Sequence, residues 1–346
     1  MLARVAPPFD AVLFVAFGGP QGMDDIRPFL GNVLRGRRVS PERVEEVAHH
    51  YERFGGVSPL TALTLSQASA LESRLRDRGV PLPVRVGMRN WHPFLEDTLA
   101  AMSRAGQRRA IGVLASAQRS YSGCLQYREN VRDARAAIRR EGLAGVDVTY
   151  VGDWHTHPGF IDAHAAHIRA ALARLPSSSR ERARIVFTAH SIPQSMAAVY
   201  PYQRQLAESA RLVLEALRTP ADQTIPCPPC HSWPDPGQPV IVYQSRSGRP
   251  GDPWLEPDIC EYLRAEHARG LDAVVLCPIG FVCDHIEVLY DLDVEAADTA
   301  RELGIAFARA ESVNVHPRFI DALADSVIDV WTRYERGRPL PVVHHT

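Results

Sequence analysis

Short apolar runs alternate with longer segments of helical spacing along most of the chain. Eight of these runs have the length and the content of β-branched residues that predict strands. They are residues 11–16, 84–88, 110–114, 146–151, 185–188, 240–243, 273–277 and 305–308. Between them, residues 60–75 place Leu63, Gln67 and Leu71 on one face, which predicts a helix packed on a sheet.

This alternation predicts an α/β protein with two Rossmann-like, doubly wound domains, each with a parallel sheet, and a cleft between the domains. We expect residues 1–115 to form the first domain, together with the helical segment 315–335 that returns to pack on it. Residues 116–314 then form the second domain, and residues 336–346 a disordered tail. The proline-rich stretch at residues 219–238 indicates an insertion or a linker.

The composition narrows the classes of function. The chain has 346 residues, of which 45% are hydrophobic, so it can bury a sizeable core. Its 39 basic and 40 acidic residues nearly balance, which argues against a nucleic-acid partner. No apolar run approaches the length of about 20 residues that a transmembrane helix needs. We interpret the apolar run near the N-terminus as a strand and expect a cytoplasmic protein without a transmembrane segment.

A histidine stands at the end of a predicted strand, in FTAHSIP at residues 187–193. In open parallel sheets, ligands bind at the carboxyl ends of the strands. The imidazole of His190 can exchange protons near neutral pH, so its position indicates a catalytic residue. A histidine that only hydrogen-bonds a loop is the alternative.

Three carboxylates follow the strand at residues 273–277. Glu287, Asp291 and Glu295 are spaced i, i+4 and i+8, which puts them on one face of a helix. No Lys or Arg occurs between Arg269 and Arg301 to balance them, although like charges at this spacing repel. The pattern indicates a track for a divalent cation or a path for protons, and an ordinary acidic surface is the alternative.

These motifs resemble the signatures of the ferrochelatase family. FTAHSIP is similar to the histidine signature of the family, and residues 281–295 are similar to its second signature. Further similar motifs occur in family order and cover nearly the whole chain. They are RGRRVSPE at residues 35–42, HYERFGGVSPL at 50–60, SGCLQYREN at 122–130 and YQSRSGRPGDPWLEPDI at 243–259.

The resemblance implies a lyase of haem biosynthesis that inserts Fe²⁺, as substrate, into a porphyrin bound in the cleft. The segments GDPWLEPD and GFVCDHIEVLYD most resemble the branch that uses coproporphyrin III, with protoporphyrin IX as the alternative substrate. His190 and Glu287 match the catalytic imidazole and the carboxylate that faces it. Asp291 and Glu295 match the outer acidic positions, which makes these four residues the candidate metal ligands.

The resemblance also implies a set of porphyrin-binding residues. Arginine can bind a propionate in bidentate fashion, and two arginines lie in a lid-like segment of the first domain. At the first of the matched positions, many relatives of the coproporphyrin type carry a tyrosine where this chain has a phenylalanine, which cannot ligate iron. The matched residues are Phe17, Arg35, Arg37, Ser58 and Tyr127.

The cysteines raise the question of a [2Fe–2S] cluster. Cys227 and Cys230 form a CxxC pair, a spacing that suits a metal or a cluster. Some ferrochelatases carry such a cluster, and one of its ligands matches Cys124. The fourth ligand is left open among Cys260, Cys277, Cys283 and His231. A redox pair or a plain loop is the alternative.

Two other functions fit a tetrapyrrole cleft. One is a chelatase that inserts cobalt or nickel, since one histidine and several carboxylates do not determine the metal. The other is a non-catalytic haem-binding protein, which leaves the clustered carboxylates without a role. For a ferrochelatase, we expect haem-pathway enzymes as partners and a monomer or a weak dimer.

Overall fold

A computed structural model of the chain describes residues 7–36, 39–218, 238–247 and 251–337. The strand prediction is confirmed at all eight positions, with bounds that shift by a few residues at most. The strands are β1 (Ala11–Ala16), β2 (Val84–Met88), β3 (Arg109–Leu114), β4 (Asp147–Tyr150), β5 (Arg184–His190), β6 (Val240–Gln244), β7 (Ala273–Cys277) and β8 (Ala306–Arg309).

The strands form two four-stranded parallel sheets with the same order. The first runs β2-β1-β3-β4 and the second β6-β5-β7-β8. In the first sheet Val12 lies opposite Val84 on one side and Ile111 on the other. Every residue of β1 is buried, as expected for a central strand with helices on both faces of its sheet. The predicted α/β architecture with two parallel sheets is therefore confirmed.

Helices connect and cover the strands in the described part of the chain. They are α1 (Ile26–Val33), α2 (Pro41–Arg53), α3 (Pro59–Asp77), α4 (Leu95–Arg104), α5 (Gln126–Arg140), α6 (Pro158–Arg174), α7 (Ser177–Arg180), α8 (Gln194–Val199), α9 (Tyr202–Arg218), α10 (Ile259–His267), α11 (Ile286–Tyr290), α12 (Ala297–Glu302) and α13 (Pro317–Glu335). Two π-helical segments, Tyr121–Leu125 and Asp291–Ala296, precede α5 and α12, respectively. No described helix has the length and apolarity needed to cross a membrane.

One strand was assigned to the wrong sheet. We expected the chain to leave the first domain at residue 115, yet β4 pairs with β3, with Arg109 opposite Asp147. The first sheet therefore extends to Tyr150, and the change to the second sheet follows β4. The alternation of elements could not show this, because it predicts strands without naming their neighbours.

The helices α6 and α13 join the two halves of the molecule. The helix α13 packs on α3 and β3 of the first half and also on α6. In turn, α6 contacts β7 and β8 of the second sheet. The two helices approach closely at Gly159, where a Cβ atom would lie 2.2 Å from the carbonyl oxygen of Arg318.

Candidate active site

His190 is the last residue of β5, at the carboxyl edge of the second sheet. Its Nδ1 contacts the backbone carbonyl of Ser191, while its own carbonyl accepts a 3.0 Å hydrogen bond from the Tyr202 hydroxyl. A carbonyl can only accept, so in the neutral imidazole Nδ1 carries the proton. Nε2 is left as an acceptor that faces Glu287, and one third of the side chain is exposed (33%).

Glu287 faces this imidazole from the next strand end. Its Oε2 lies 3.8 Å from Nε2 of His190, and 40% of its side chain is exposed. The residue sits in the first turn of α11, where its backbone N–H donates to Nδ1 of His285 at 3.2 Å. That bond makes His285 the N-cap of α11 and thereby fixes where the helix begins. The two residues paired by the sequence prediction do meet.

Beyond Glu287 the helix widens into the π segment Asp291–Ala296. Such segments are rare and frequently lie at functional sites. The i, i+4, i+8 face of a regular helix is therefore altered, because Asp291 and Glu295 both belong to the widened turn. Glu295 is exposed at its outer end. Partial burial raises the pKa of Glu295, and the carboxylate of Asp258 raises it further.

Asp291 lies between Glu287 and Glu295 in the sequence, and its side chain is held by hydrogen bonds. Its Oδ2 accepts from the hydroxyl of Ser245 and from Nε2 of Gln244, the latter at 3.3 Å. Burial raises the pKa of Asp291 to about 8, with Glu287 and Glu295 contributing in the same direction. Asp291 therefore carries a proton near neutral pH, and the acidic face holds less negative charge than its sequence suggests.

A positive charge from β8 pairs with two further carboxylates of this segment, Asp284 and Asp293. Arg309 donates to Asp293 at 2.6 and 2.9 Å and to Asp284 at 2.8 Å. The Arg309 and Asp284 side chains are buried, with 12% and 13% exposed. This ion pair anchors the loop before α11 to an edge strand. It went unpredicted because Arg309 lies outside the acidic segment in sequence.

The first half of the molecule contributes an aromatic and cationic wall. The guanidinium of Arg89, which follows β2, lies 4.5 Å from the ring centre of Tyr127 and 5.6 Å from that of Phe17. Its Nε donates to Asn130 at 2.6 Å. Burial raises the pKa of Tyr127, and the carboxylate of Glu287 is among the charges that raise it further. The position of Arg89 between two rings is a tertiary contact that no local pattern of the sequence indicates.

The helices α1 and α2 pack against α11, the helix that carries Glu287. Tyr51 of α2 is buried in one apolar cluster with Phe29 and Ile286. Burial raises the pKa of Tyr51, and the carboxylates of Glu287 and Asp291 raise it further. Beside it, His50 of α2 stacks on Tyr290 of α11, with ring centres 3.6 Å apart. Residues of α1 and α2 in the first half thus pack directly with α11, the helix that carries Glu287.

Comparison with known proteins identifies the family. The sequence model of the family described as Ferrochelatase matches residues 9–330. The chain belongs to the ferrochelatase family. This places it among the lyases that insert iron into a porphyrin in haem biosynthesis, as the resemblance of the motifs implied.

Curated relatives cover nearly the whole ferrochelatase chain. It is 45% identical to the coproporphyrin III ferrochelatase of Streptomyces coelicolor, over 94% of this chain and 86% of the relative. It is 48% identical to the coproporphyrin III ferrochelatase of Nocardia farcinica, over 90% and 85%. A ferrochelatase of Rhodopirellula baltica is 44% identical over 93% and 86%.

Solved structures confirm the fold. SirB from Bacillus subtilis with Fe³⁺ superimposes with a TM-score of 0.53 over 95% of this chain and 98% of that one, at 12% identity. Such a distant likeness supports the two-sheet architecture alone.

The remaining porphyrin-binding predictions for this ferrochelatase fall in different surroundings. Arg35 is exposed beside α1 and donates to Asn32 at 2.7 Å. Ser58 is buried, and its hydroxyl accepts the backbone N–H of Leu60 at 3.4 Å as the N-cap of α3. Arg37 lies outside the described residues. All three stay predictions.

The cysteines of this ferrochelatase are dispersed wherever they are described. Cys124 is partly exposed in the π segment before α5, while Cys277 and Cys283 are buried in the central core. Burial raises the pKa of Cys283 to about 12 and that of Cys260 to about 11. Within the described ranges, no three metal-ligating side chains come together. The other two predicted cluster ligands, Cys227 and Cys230, lie outside those ranges.

Proposed function

We propose that this ferrochelatase inserts Fe²⁺ into coproporphyrin III in the cytoplasm. The observation that carries the proposal is the facing pair of His190 Nε2 and Glu287 Oε2, 3.8 Å apart, with His190 at the end of β5 and Glu287 in the first turn of α11. Family membership supplies the reaction, and the names of several curated relatives supply the porphyrin. The exposed third of His190 and the aromatic wall opposite leave both groups accessible to a planar ligand.

His190 takes a proton from the porphyrin. Insertion requires the loss of two pyrrole N–H protons, and a general base must present a free lone pair. With Nδ1 of His190 committed to the Ser191 carbonyl, Nε2 is the nitrogen that accepts. The fixed ring orientation aims this lone pair at the cleft before the porphyrin arrives, which lowers the cost of ordering the base.

Glu287 binds the Fe²⁺ that replaces the pyrrole protons. A carboxylate next to an imidazole offers Fe²⁺ two of its ordinary ligand types without enclosing it, so the ion can pass on. Asp291 and Glu295 continue the line along the π segment and are the outer metal positions of the proposal. The hydroxyl of Ser245 and the amide of Gln244 orient Asp291 toward this line.

The first half of the molecule holds the macrocycle. Phe17, Arg89 and Tyr127 present two rings and a guanidinium at the ends of β1, β2 and the segment after β3. Apolar rings suit the porphyrin face, and cations suit its propionates. Arg35, Arg37 and Ser58 complete the proposed binding set.

A metallation assay tests the proposed substrate. The purified protein is offered Fe²⁺ with coproporphyrin III and, separately, with protoporphyrin IX, and kcat/KM is compared. We expect coproporphyrin III to be preferred by at least about tenfold. An equal or reversed preference contradicts the choice of porphyrin. Parallel reactions with Co²⁺ and Ni²⁺ test the metal, and tight haem binding without any insertion would make the chain a binding protein.

As a separate feature, we propose a [2Fe–2S] cluster on Cys124, Cys227 and Cys230. The thiol of Cys124 is partly exposed, which suits a cluster ligand near the surface. The fourth ligand stays open among Cys260, Cys277, Cys283 and His231. The visible spectrum of anaerobically purified protein, with iron and sulfide assays, decides the matter. Absence of cluster absorption, iron and sulfide would exclude the cluster.

A further inference from the structure

The segment between β7 and α11, residues 278–284, carries no proposed catalytic group but leads directly into Glu287. It is pressed against the strand that ends in His190. The N–H of Gly280 donates to the carbonyl of Thr188 at 3.1 Å. A Cβ atom at position 280 would lie 2.6 Å from that of Ala189, so only glycine permits this approach. The placement of this segment therefore sets the distance between the two sides of the catalytic pair.

Two glutamines from the first half of the molecule reach across to this segment. Gln67 of α3 is fully buried, and its Nε2 donates to the carbonyls of Val282 at 2.9 Å and Asn314 at 2.8 Å. Gln118, which follows β3 and is 3% exposed, donates to the carbonyl of Ile279 at 3.3 Å. Both donors are amides, which keep this role at any pH.

The bond to Asn314 extends the contact to the start of the carboxylate helix. Asn314 donates through Nδ2 to Asp284 Oδ2 at 2.8 Å and accepts the Asp284 N–H at 2.9 Å. Asp284 immediately precedes His285, the N-cap of α11. A continuous line of hydrogen bonds thus runs from α3 of the first half, through Asn314, to the residue before that cap.

We propose that Gln67 and Gln118 are positioning residues that hold Glu287 at its working distance from His190. The inference rests on the proposed function of that pair. Without the amides, the carbonyls of residues 279, 282 and 314 would lose buried donors, and the 278–284 segment would be free to shift away from β5. A displacement of about 1 Å of a reacting group can lower a rate about 100-fold.

The test uses Gln67→Leu and Gln118→Leu with the control Ser209→Ala. Ser209 is fully buried in α9, and its hydroxyl lies within hydrogen-bond distance of the carbonyls of His155 at 2.8 Å and Gln205 at 2.9 Å, so its loss also removes a buried donor to a carbonyl. For Gln67→Leu we expect kcat for iron insertion to fall about 10-fold to 100-fold, while the porphyrin KM changes less than threefold. Gln118→Leu should show the same pattern more weakly, and Ser209→Ala should keep kcat within twofold.

A second readout does not depend on activity. Amide hydrogen exchange at Gly280 and Asp284 should accelerate at least tenfold in Gln67→Leu and stay unchanged in Ser209→Ala. If exchange accelerates in Gln67→Leu but the unsubstituted protein inserts no iron, the proposed function is wrong, while the role of Gln67 in holding the 278–284 segment is kept. Unchanged exchange, or a kcat within twofold of the unsubstituted value, would overturn the inference. If Gln67→Leu does not fold, Gln118→Leu decides by the same two measurements.

Discussion

The two halves of the molecule share one topology and divide the chemistry between them. Each half is a parallel four-stranded sheet of the same order, and each has a π segment in the helical region that follows its third strand. The first half ends its strands in Phe17 and Arg89, groups that suit a planar anionic ligand. The second ends β5 in His190 and carries Glu287 in the first turn of α11, two side-chain types that can exchange protons and bind a metal.

The comparison shows that the topology of a sheet determines where a site lies, whereas the side chains at that edge determine its chemistry. Parallel strands bring their carboxyl ends to one edge in both halves, so each half presents a cluster there. The clusters differ in how they are held. In the first half, Arg128 of α5 lies 4.6 Å from the ring centre of Tyr150 on the edge strand β4. In the second, Arg309 on the edge strand β8 binds Asp284 and Asp293.

Replacing Glu287 should have the largest effect, and it tests whether the second half of the molecule carries the chemistry while the first half binds the porphyrin. We expect Glu287→Gln to lower kcat for iron insertion about 100-fold to 10,000-fold, because the amide neither accepts a proton nor binds Fe²⁺ well. The porphyrin KM should stay within threefold, since the first half holds the macrocycle. Steady-state kinetics with Fe²⁺ and porphyrin measure both values, and a purely KM effect would reverse the assignment of the halves.

The anchors of the two halves should differ in their contribution to stability. Arg309→Met leaves two carboxylates beside a buried, vacated position, so we expect a loss of about 3–5 kcal/mol in the free energy of unfolding. Arg128→Met removes a partly exposed cation–π contact and should cost about 1 kcal/mol or less. Urea denaturation of both variants measures the difference. Equal losses would show that the anchors are equivalent.

Removing the cation of the first half should change binding more than turnover. We expect Arg89→Met to raise the porphyrin Kd about tenfold, because the guanidinium no longer holds the two rings or attracts propionates. The value of kcat at saturating porphyrin should fall less than threefold. Fluorescence titration gives the Kd, and a large fall in kcat with unchanged Kd would move Arg89 to the chemical side of the comparison.

The smallest predicted effect concerns the helices α6 and α13, which join the two halves. Two histidine caps on these helices should make the stability of the protein decrease at acidic pH. His157 caps α6 by accepting the Gly159 N–H at 3.1 Å, and His316 caps α13 by accepting the Arg318 N–H at 3.2 Å. Burial lowers the pKa of both histidines, so the folded state binds fewer protons than the unfolded state. Their contribution is present above the unfolded pKa of about 6.5 and is lost as the pH falls toward the lower folded values.

Replacing the two caps isolates this effect. Asparagine also caps helices but does not titrate, so His157→Asn with His316→Asn should lose less stability between pH 7 and pH 5 than the unsubstituted protein loses. Thermal unfolding at both pH values measures the change. An identical pH dependence in the double variant would exclude these caps as its source.

The strands and the pairing of His190 with Glu287 were predictable from the sequence, whereas the neighbour of each strand in the sheet and the contacts between distant residues were not. The strands follow from runs of apolar residues, and His190 with Glu287 follows from strand ends and motifs. The pairing of β4 with the first sheet and the charge supplied by Arg309 depend on tertiary contacts, which leave no local pattern. The π segment at Asp291 was missed because i, i+4, i+8 spacing predicts a regular helix. Ser58 shows the same limit, since a motif match does not reveal that its hydroxyl caps a buried helix start.

The central claim is that His190 is the base of a site whose porphyrin is held by the other half of the molecule. Iron insertion by His190→Ala, measured beside its porphyrin Kd, tests this claim most directly. We predict a fall in kcat of about 100-fold to 10,000-fold with a Kd within threefold of the unsubstituted protein. Retained turnover in His190→Ala would contradict the claim, and so would a loss of porphyrin binding that accounts for the whole loss of rate.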